Sequence, residues 1–374
     1  MVLMKIGIMT FHAALNCGAV LQAYALQTVL ERLGNKVEFI NYTPHRYKTL
    51  RQFLGRGVNV TFRKWQDLYF ACRYQKKFSL ILKVAARRYQ TFRELQKAPP
   101  QYDLYLAGSD QIWNPGSQNR ILPAYYLDFE TSGRKIAYAA SFGQGDIIPE
   151  LYPTIRALLK SFSAITVREQ NGVEKLRSIL GDSLAVEQMC DPTFLLQCDD
   201  YRKICGKKDS GVASESYICT YVLRPLDQVQ LEQIGQLSQR LGMTLIHLKN
   251  PDTGIRFPSG KHRIVTPETW LAYMLDAGAI FCHSFHAVVF SLLFHKPFLA
   301  FIPEELERSG GNQRLNSLLV PMGLEKRCVS SSLNISELSK ILVTPIDWEA
   351  VDRQIEQMRQ TGWGFLTTWC SGEL

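Results

Sequence analysis

The densest run of chemically capable side chains is Cys282-His283-Ser284-Phe285-His286. It falls where an apolar run that reads as a strand, Ala279–His283, gives way to one that reads as a helix, Phe285–Phe294. A helix amino terminus presents unpaired N–H groups and a partial positive charge, so an anion can be held there while His286 transfers a proton. Histidine suits that task because its imidazole titrates near neutrality. The competing reading is that His286 only caps the helix or packs on the sheet. A second constellation is the loop His12–Gly18, where Asn16 can cap the helix that comes next and Gly18 lets a ligand approach the backbone. It is not G-x-G-x-x-G and lacks the P-loop lysine, so a binding loop and a plain strand-to-helix turn both fit. A third is Gly108-Ser109-Asp110-Gln111-Ile112-Trp113-Asn114-Pro115, a polar turn directly after an apolar strand, with more donors and acceptors than a connecting loop needs.

No metal site is expected. The histidines at 12, 45, 247, 262, 283, 286 and 295 include no H-x-x-x-H pair, and His283 with His286 lacks nearby carboxylates. The nine cysteines contain no C-x-x-C pair, which speaks against a zinc knuckle or an iron–sulfur cluster and suits reduced thiols in a cytosol.

The elements that must position these residues alternate regularly. Lys5–Phe11 reads as a strand, Ala19, Ala23, Leu26, Leu30 and Leu33 recur at helical spacing until Gly34, and Lys36–Tyr42 is a strand again. Strand patterns return at Tyr102–Ala107, Lys135–Ala140 and Ala164–Arg168, the last leading into a helix, Gly172–Leu180. Asp191-Pro192 and the polar stretch Asp199–Ser216 read as a crossing to a second alternation. That one runs through strand Tyr217–Leu223, helix Leu226–Leu241, strand Thr244–Lys249, helix Pro267–Ala277, the histidine-bearing strand and helix, and strand Pro297–Ile302. The expected fold is therefore α/β, with two Rossmann-like domains facing across a cleft and ligands at the carboxyl ends of their strands. The expected bounds are 1–198, with a basic helical insert at 44–100, then 199–346, then a helix and aromatic tail at 347–374 that docks Trp363, Phe365 and Trp369 on a domain surface.

Composition supports folding throughout: 374 residues, 46% hydrophobic and 21% charged, are enough for two cores. The amino terminus lacks the regions of a signal peptide, and no uncharged run reaches the ~18–20 apolar residues of a spanning helix. A cytoplasmic protein is expected. The formal charge of +9 is concentrated: Arg46–Lys97 carries fourteen Lys/Arg against Asp67 and Glu94, a local +12. One basic segment without a zinc finger, basic zipper or RNA-binding signature argues against nucleic acid. It reads either as a solvated helical pair whose aromatics pack on the first domain, or as a collar for sugar-linked phosphates or an anionic membrane face.

Six short pieces occur in the order seen in polysaccharide pyruvyl transferases: Asn16-Cys17-Gly18-Ala19-Val20-Leu21-Gln22-Ala23-Tyr24-Ala25-Leu26, the Gly108–Asn114 turn, Ala140-Ser141-Phe142-Gly143, Val167-Arg168-Glu169, Asp191-Pro192-Thr193 and Ser284-Phe285-His286-Ala287. The chain resembles that family over about residues 4–325. The resemblance implies a fold like that of GT-B glycosyltransferases. It also implies transfer of the enolpyruvyl carbons of phosphoenolpyruvate, as co-substrate and with no cofactor, to two sugar hydroxyls as a cyclic ketal, in bacterial surface-polysaccharide synthesis. By resemblance His286 is the catalytic histidine and Arg168 a phosphoenolpyruvate-binding arginine. Many members carry arginine two residues before this histidine, where this chain has Ser284; Arg314, with Arg224 behind it, is the expected replacement, and Ser284 can still donate one hydrogen bond. Asn16, Gly18, Ser109, Asp110, Gln111, Trp113 and Asn114 are then the acceptor side, for a nucleotide-linked or lipid-diphosphate-linked sugar.

Two other functions fit the same architecture. A GT-B glycosyltransferase using a nucleotide sugar is one, although no glutamate pair eight apart and no D-x-D triplet is present. A non-catalytic sugar-binding scaffold is the other, kept open by Ser284.

Overall fold

The computed structural model describes residues 3–44, 81–116, 120–143, 146–181, 185–208, 216–250, 257–303 and 313–371. They divide into two compact units, the first made of Met1–Ala14, Ala19–Leu195 and Met358–Leu374, the second of Leu15–Gly18 and Leu196–Gln357.

The first unit is built on a seven-stranded sheet of β1 (Lys5–Met9), β2 (Lys36–Tyr42), β3 (Val84–Tyr89), β4 (Leu104–Ala107), β5 (Arg134–Ala140), β6 (Ala164–Val167) and β7 (Val186–Gln188), in the order β3-β2-β1-β4-β5-β6-β7. All its pairings are parallel. The order reverses between β1 and β4, the topological switch point at which open sheets of this kind bind ligands. Its helices are α1 (Cys17–Arg32), α2 (Phe92–Lys97), α3 (Tyr152–Leu159) and α4 (Gln170–Leu180).

The second unit repeats the plan with six parallel strands: β8 (Tyr217–Tyr221), β9 (Thr244–Lys249), β10 (Lys261–Ile264), β11 (Ala279–Cys282), β12 (Phe298–Phe301) and β13 (Cys328–Val329), in the order β10-β9-β8-β11-β12-β13. Helices α5 (Cys198–Ile204), α6 (Gln228–Leu241), α7 (Pro267–Asp276), α8 (Phe285–Leu293), α9 (Gln313–Leu319) and α10 (Ile335–Val343) accompany it. The central strands β4, β8, β11 and β12 are buried at every residue, which is why they read as unbroken apolar runs rather than alternations. Local signals set the helix ends. Asp227 accepts from the Gln230 N–H to start α6, Gly242 ends it in a left-handed conformation, and Pro267 opens α7.

Three expectations need correction. Residues 45–80 of the basic insert lie outside the described residues, and its remaining part is not all helix: Val84–Tyr89 pairs with β2 as a strand and only Phe92–Lys97 is helical. Main-chain pairing along the open edge of β2 outweighs the helix preference of Ala85, Ala86, Arg87 and Arg88, and leaves both arginines exposed. The tail is one continuous helix through Trp363, Phe365 and Trp369 rather than a helix followed by an aromatic tail. Helix α11 (Trp348–Cys370) belongs to the first unit from Met358 onward. There the Trp363 indole donates to the Leu195 carbonyl at 3.0 Å, Arg359 donates to the Phe194 carbonyl at 2.9 Å, and Phe365 packs on Tyr138. Finally, the first unit ends at Leu195 rather than residue 198, and Leu15–Gly18 belongs to the second. Among the described residues no helix is long and apolar enough to cross a membrane.

Candidate active site

In the second unit, the carboxyl ends of β8, β9 and β11 lie side by side, and the His283 N–H donates to the Tyr221 carbonyl at 3.2 Å. Helix α8 begins immediately afterwards. All nine of its residues are buried, because Val288, Val289, Phe290, Leu292 and Leu293 leave it no polar face. Ser284 is its N-cap, in extended conformation, and its side chain makes no capping hydrogen bond, so the hydroxyl is not spent on the helix. His286 occupies the second helical position and is 6% exposed.

Two guanidinium groups act on this end of the sheet through their charge. Burial lowers the His283 pKa to about 4, and Arg224 and Arg314 push it the same way. Both charged groups acting on His283 among the described residues are thus cationic, one on the turn after β8 and one in the first turn of α9. His283 Nδ1 is buried without a hydrogen-bond partner. Cations, an unspent hydroxyl and a helix amino terminus form a combination that receives an anion.

The segment Asn16–Gly18 belongs to this unit. Asn16 caps α1 as expected, its Oδ1 accepting from the Gly18 N–H at 2.9 Å. The space beside Gly18 is filled from within the protein. A Cβ on Gly18 would overlap both Cγ and Nδ1 of His286, so the missing side chain admits the imidazole rather than a ligand.

The strand ends of the first unit carry an ionic network of opposite sign. Arg168, 4% exposed, donates from Nε to Glu169 at 3.0 Å and from Nη1 to Asp191 at 2.8 Å. Asp191 also accepts from Ser109 Oγ at 3.3 Å and from the Thr193 N–H and hydroxyl at 3.0 and 2.7 Å. Glu169 accepts from Ser141 Oγ at 2.8 Å. A bulge in β5, with Ala139 at φ +49° and its N–H on Thr166, sets the strand end that carries Ser141. Burial works against the Arg168 charge, but Glu169, Asp191 and Asp110 outweigh it and raise its pKa. A guanidinium held between two buried carboxylates carries no surplus positive charge with which to hold a trianion. Through these bonds Arg168 ties together the loops after β4, β6 and β7.

The Gly108–Pro115 turn divides into core and rim. Ser109 is fully buried, and Trp113 is 2% exposed, stacked on Tyr126 with its indole donating to the Tyr125 carbonyl at 3.1 Å. Neither presents a surface to an acceptor, because the Trp113 indole fills the core. Asp110, Gln111 and Asn114 remain on the rim. Asp110 is held at φ +78° by accepting the Gln111 N–H, and Asn114 donates to Gln111 Oε1 at 2.9 Å. Gly143, at φ +77°, lies against both Gln111 and Asn114.

Sequence reasoning offered Glu169 only as an alternative salt-bridge partner of Arg168 and assigned no site role to Asp191, Tyr221 or Asn250. Asp191 and Glu169 stand in the short motifs Asp191-Pro192-Thr193 and Val167-Arg168-Glu169, at strand ends, and that position was their signal. Asn250 lies directly after β9, where the Tyr221 hydroxyl donates to it at 2.9 Å.

Two parallel-sheet α/β units of this kind, with their polar groups gathered at strand carboxyl ends, have the GT-B architecture. The fold is similar to the glycosyltransferase SnogD from Streptomyces nogalater, at TM-score 0.50 and 13% identity over 99% of this chain and 100% of that one. It is also similar to Arabidopsis thaliana UGT89C1 complexed with UDP, at TM-score 0.54 and 9% identity over 98% and 100%. No curated protein matches the chain. The chain belongs to the polysaccharide pyruvyl transferase family, whose model matches residues 16–304, and it is a polysaccharide-modifying transferase.

Proposed function

We propose that the protein transfers the enolpyruvyl carbons of phosphoenolpyruvate to two hydroxyls of a sugar, forming a cyclic ketal and releasing phosphate, in the cytoplasm and on a nucleotide-linked or lipid-diphosphate-linked precursor. The observation that carries this reading is the cationic end of the second sheet, where the charges of Arg224 and Arg314 act on His283, three residues before His286. The donor brings a carboxylate and a phosphate, both suited to guanidinium and helix-end N–H groups. In this scheme Arg224, Arg314 and the Ser284 hydroxyl hold the donor. His286 takes the proton of an attacking hydroxyl and delivers it to the methylene carbon. The hydroxyl oxygen bonds to the carbon bearing the phosphate, the carbon–oxygen bond to phosphate breaks, and the second hydroxyl closes the ketal as its proton leaves with the phosphate. Gln111, Asn114 and Asp110 contact the neutral sugar hydroxyls of the acceptor, and Arg168 holds the loops that present them.

Two measurements test this. Phosphoenolpyruvate at 100 times its Kd should raise folded stability by about 2.7 kcal/mol, and a nucleotide sugar should not match it in the absence of phosphoenolpyruvate. Phosphate release with a competent acceptor should fall ~10²-fold or more in His286→Ala, the scale of a lost acid/base group. Stabilisation by a nucleotide sugar alone, or full turnover in that variant, refutes the proposal.

A further inference from the structure

We infer that Asn16–Gly18 is the seat of the His286 imidazole, with Gly18 acting as a positioning residue for proton transfer. The inference rests on the reading of His286 as the acid/base. The packing is specific: a methyl group on Gly18 would overlap Cγ and Nδ1 of His286 and approach its Cβ to 2.6 Å. Those atoms are the root of the side chain and the base of the ring. They cannot bend away as a long side chain would, because His286 sits in the first turn of a wholly buried helix. Relief requires either a new rotamer for the imidazole or a shift of the helix end.

The seat is anchored to the same sheet edge that carries the histidine. The Cys17 thiol, fully buried, points at Asn250 Oδ1 at 3.6 Å, and the Tyr221 hydroxyl donates to that oxygen at 2.9 Å. Asn250 comes directly after β9 and Tyr221 ends β8, which pairs with β11, the strand leading to His286. Asn16 Oδ1 fixes the Gly18 N–H from the other side. The segment whose glycine looked like an opening for a ligand is thus a rigid wall against one face of the ring. A misplacement on the order of 1 Å at a reacting group costs up to ~10²-fold in rate, so a wall that fixes the imidazole acts on turnover and not on donor affinity.

The test tracks the imidazole directly. In ring-nitrogen NMR, the signals lost in His286→Ala identify His286, and in Gly18→Ala those signals should move while those of His247 stay. Turnover in Gly18→Ala should fall at least ~10-fold with stabilisation by phosphoenolpyruvate retained, and adding Gly18→Ala to His286→Ala should cause no further loss. Tyr221→Phe loosens the anchor while keeping the ring, and supplies a milder version of both effects should Gly18→Ala fold poorly. Unmoved His286 signals in both variants overturn the seat. A moved imidazole in a protein with no pyruvyl transfer leaves the seat standing and removes the proposed reaction instead.

Discussion

Acidification from pH 7 to pH 5 should weaken the folded state through three histidines, His12 in the first unit and His247 and His283 in the second, of which His12 and His247 are the most deeply buried. His12 is 1% exposed and His247 is fully buried. Burial lowers the His12 pKa to about 4 against the Thr10 carbonyl, which raises it. Burial likewise lowers His247 to about 4, where the Ser259 carbonyl raises it and His262 and Lys249 lower it. Both imidazoles return to an ordinary value near 6.5 on unfolding, so between those limits the unfolded chain binds more protons and stability rises with pH. The contribution is complete above pH 6.5 and is lost as pH falls toward 4. The gap corresponds to about 3.4 kcal/mol per histidine, of which about 2 kcal/mol is gone by pH 5. In the second unit protonation is resisted by burial, to which Phe257, stacked on the ring at 3.9 Å, contributes, while His247 Nδ1 meets the Thr220 hydroxyl and Nε2 the Ser259 carbonyl, both at 2.6 Å. The assay is hydrogen exchange of peptides spanning Thr244–Lys249 at both pH values, because in a chain of two units a single unfolding midpoint need not report on the second. His247→Gln should be less stable than wild type at pH 7, yet lose about 2 kcal/mol less on going to pH 5. Parallel losses in the two proteins would refute the linkage.

The first-unit network makes a graded prediction. Asp191→Asn leaves Arg168 with one carboxylate and should cost about 3–5 kcal/mol, whereas Ser109→Ala, which deletes one neutral donor to the same oxygen, should cost about 1 kcal/mol; urea titration of both separates charge from hydrogen bonding. On the second unit, Arg224→Ala and Arg314→Ala should each weaken phosphoenolpyruvate binding about 10- to 100-fold, the scale of a lost charge-assisted hydrogen bond, and calorimetry showing undiminished affinity in both would remove them from the donor site.

The central architecture was legible because buried parallel strands announce themselves. Thr244–Lys249 and Lys36–Tyr42 carry the bounds expected of them, and the strand–helix junction at Ser284 falls where apolar periodicity changes. The edge strands were not legible. In β10, Lys261-His262-Arg263-Ile264, no residue is buried, and in β7 only Val186 is, so pairing along an open edge leaves almost no apolar signature. The site divided along the same line. Asn16 as a cap follows from local chemistry, and so does a titratable histidine at a helix start. That Gly18 receives His286, and that Arg168 is consumed by Asp191 twenty-three residues on, are tertiary facts that no spacing rule reaches.

The two sheet ends differ most in charge, and each can be considered by itself. Around Arg168 the first unit places Glu169, Asp191 and, at longer range, Asp110, a surplus of negative charge. Two like unit charges ~4 Å apart at an effective dielectric constant near 20 repel by about 4 kcal/mol, enough to exclude a trianion from such a place. A neutral hydroxyl meets no such barrier, and the amides of Gln111 and Asn114 offer it both donors and acceptors. The second unit offers the reverse, two guanidinium groups and a helix amino terminus with no carboxylate acting on His283 among the described residues. The substitution of serine at position 284 then becomes intelligible. With Arg224 and Arg314 already supplying charge, a third guanidinium next to His283 and His286 would crowd like charges around the group proposed to carry the proton, whereas a hydroxyl adds a donor without adding charge.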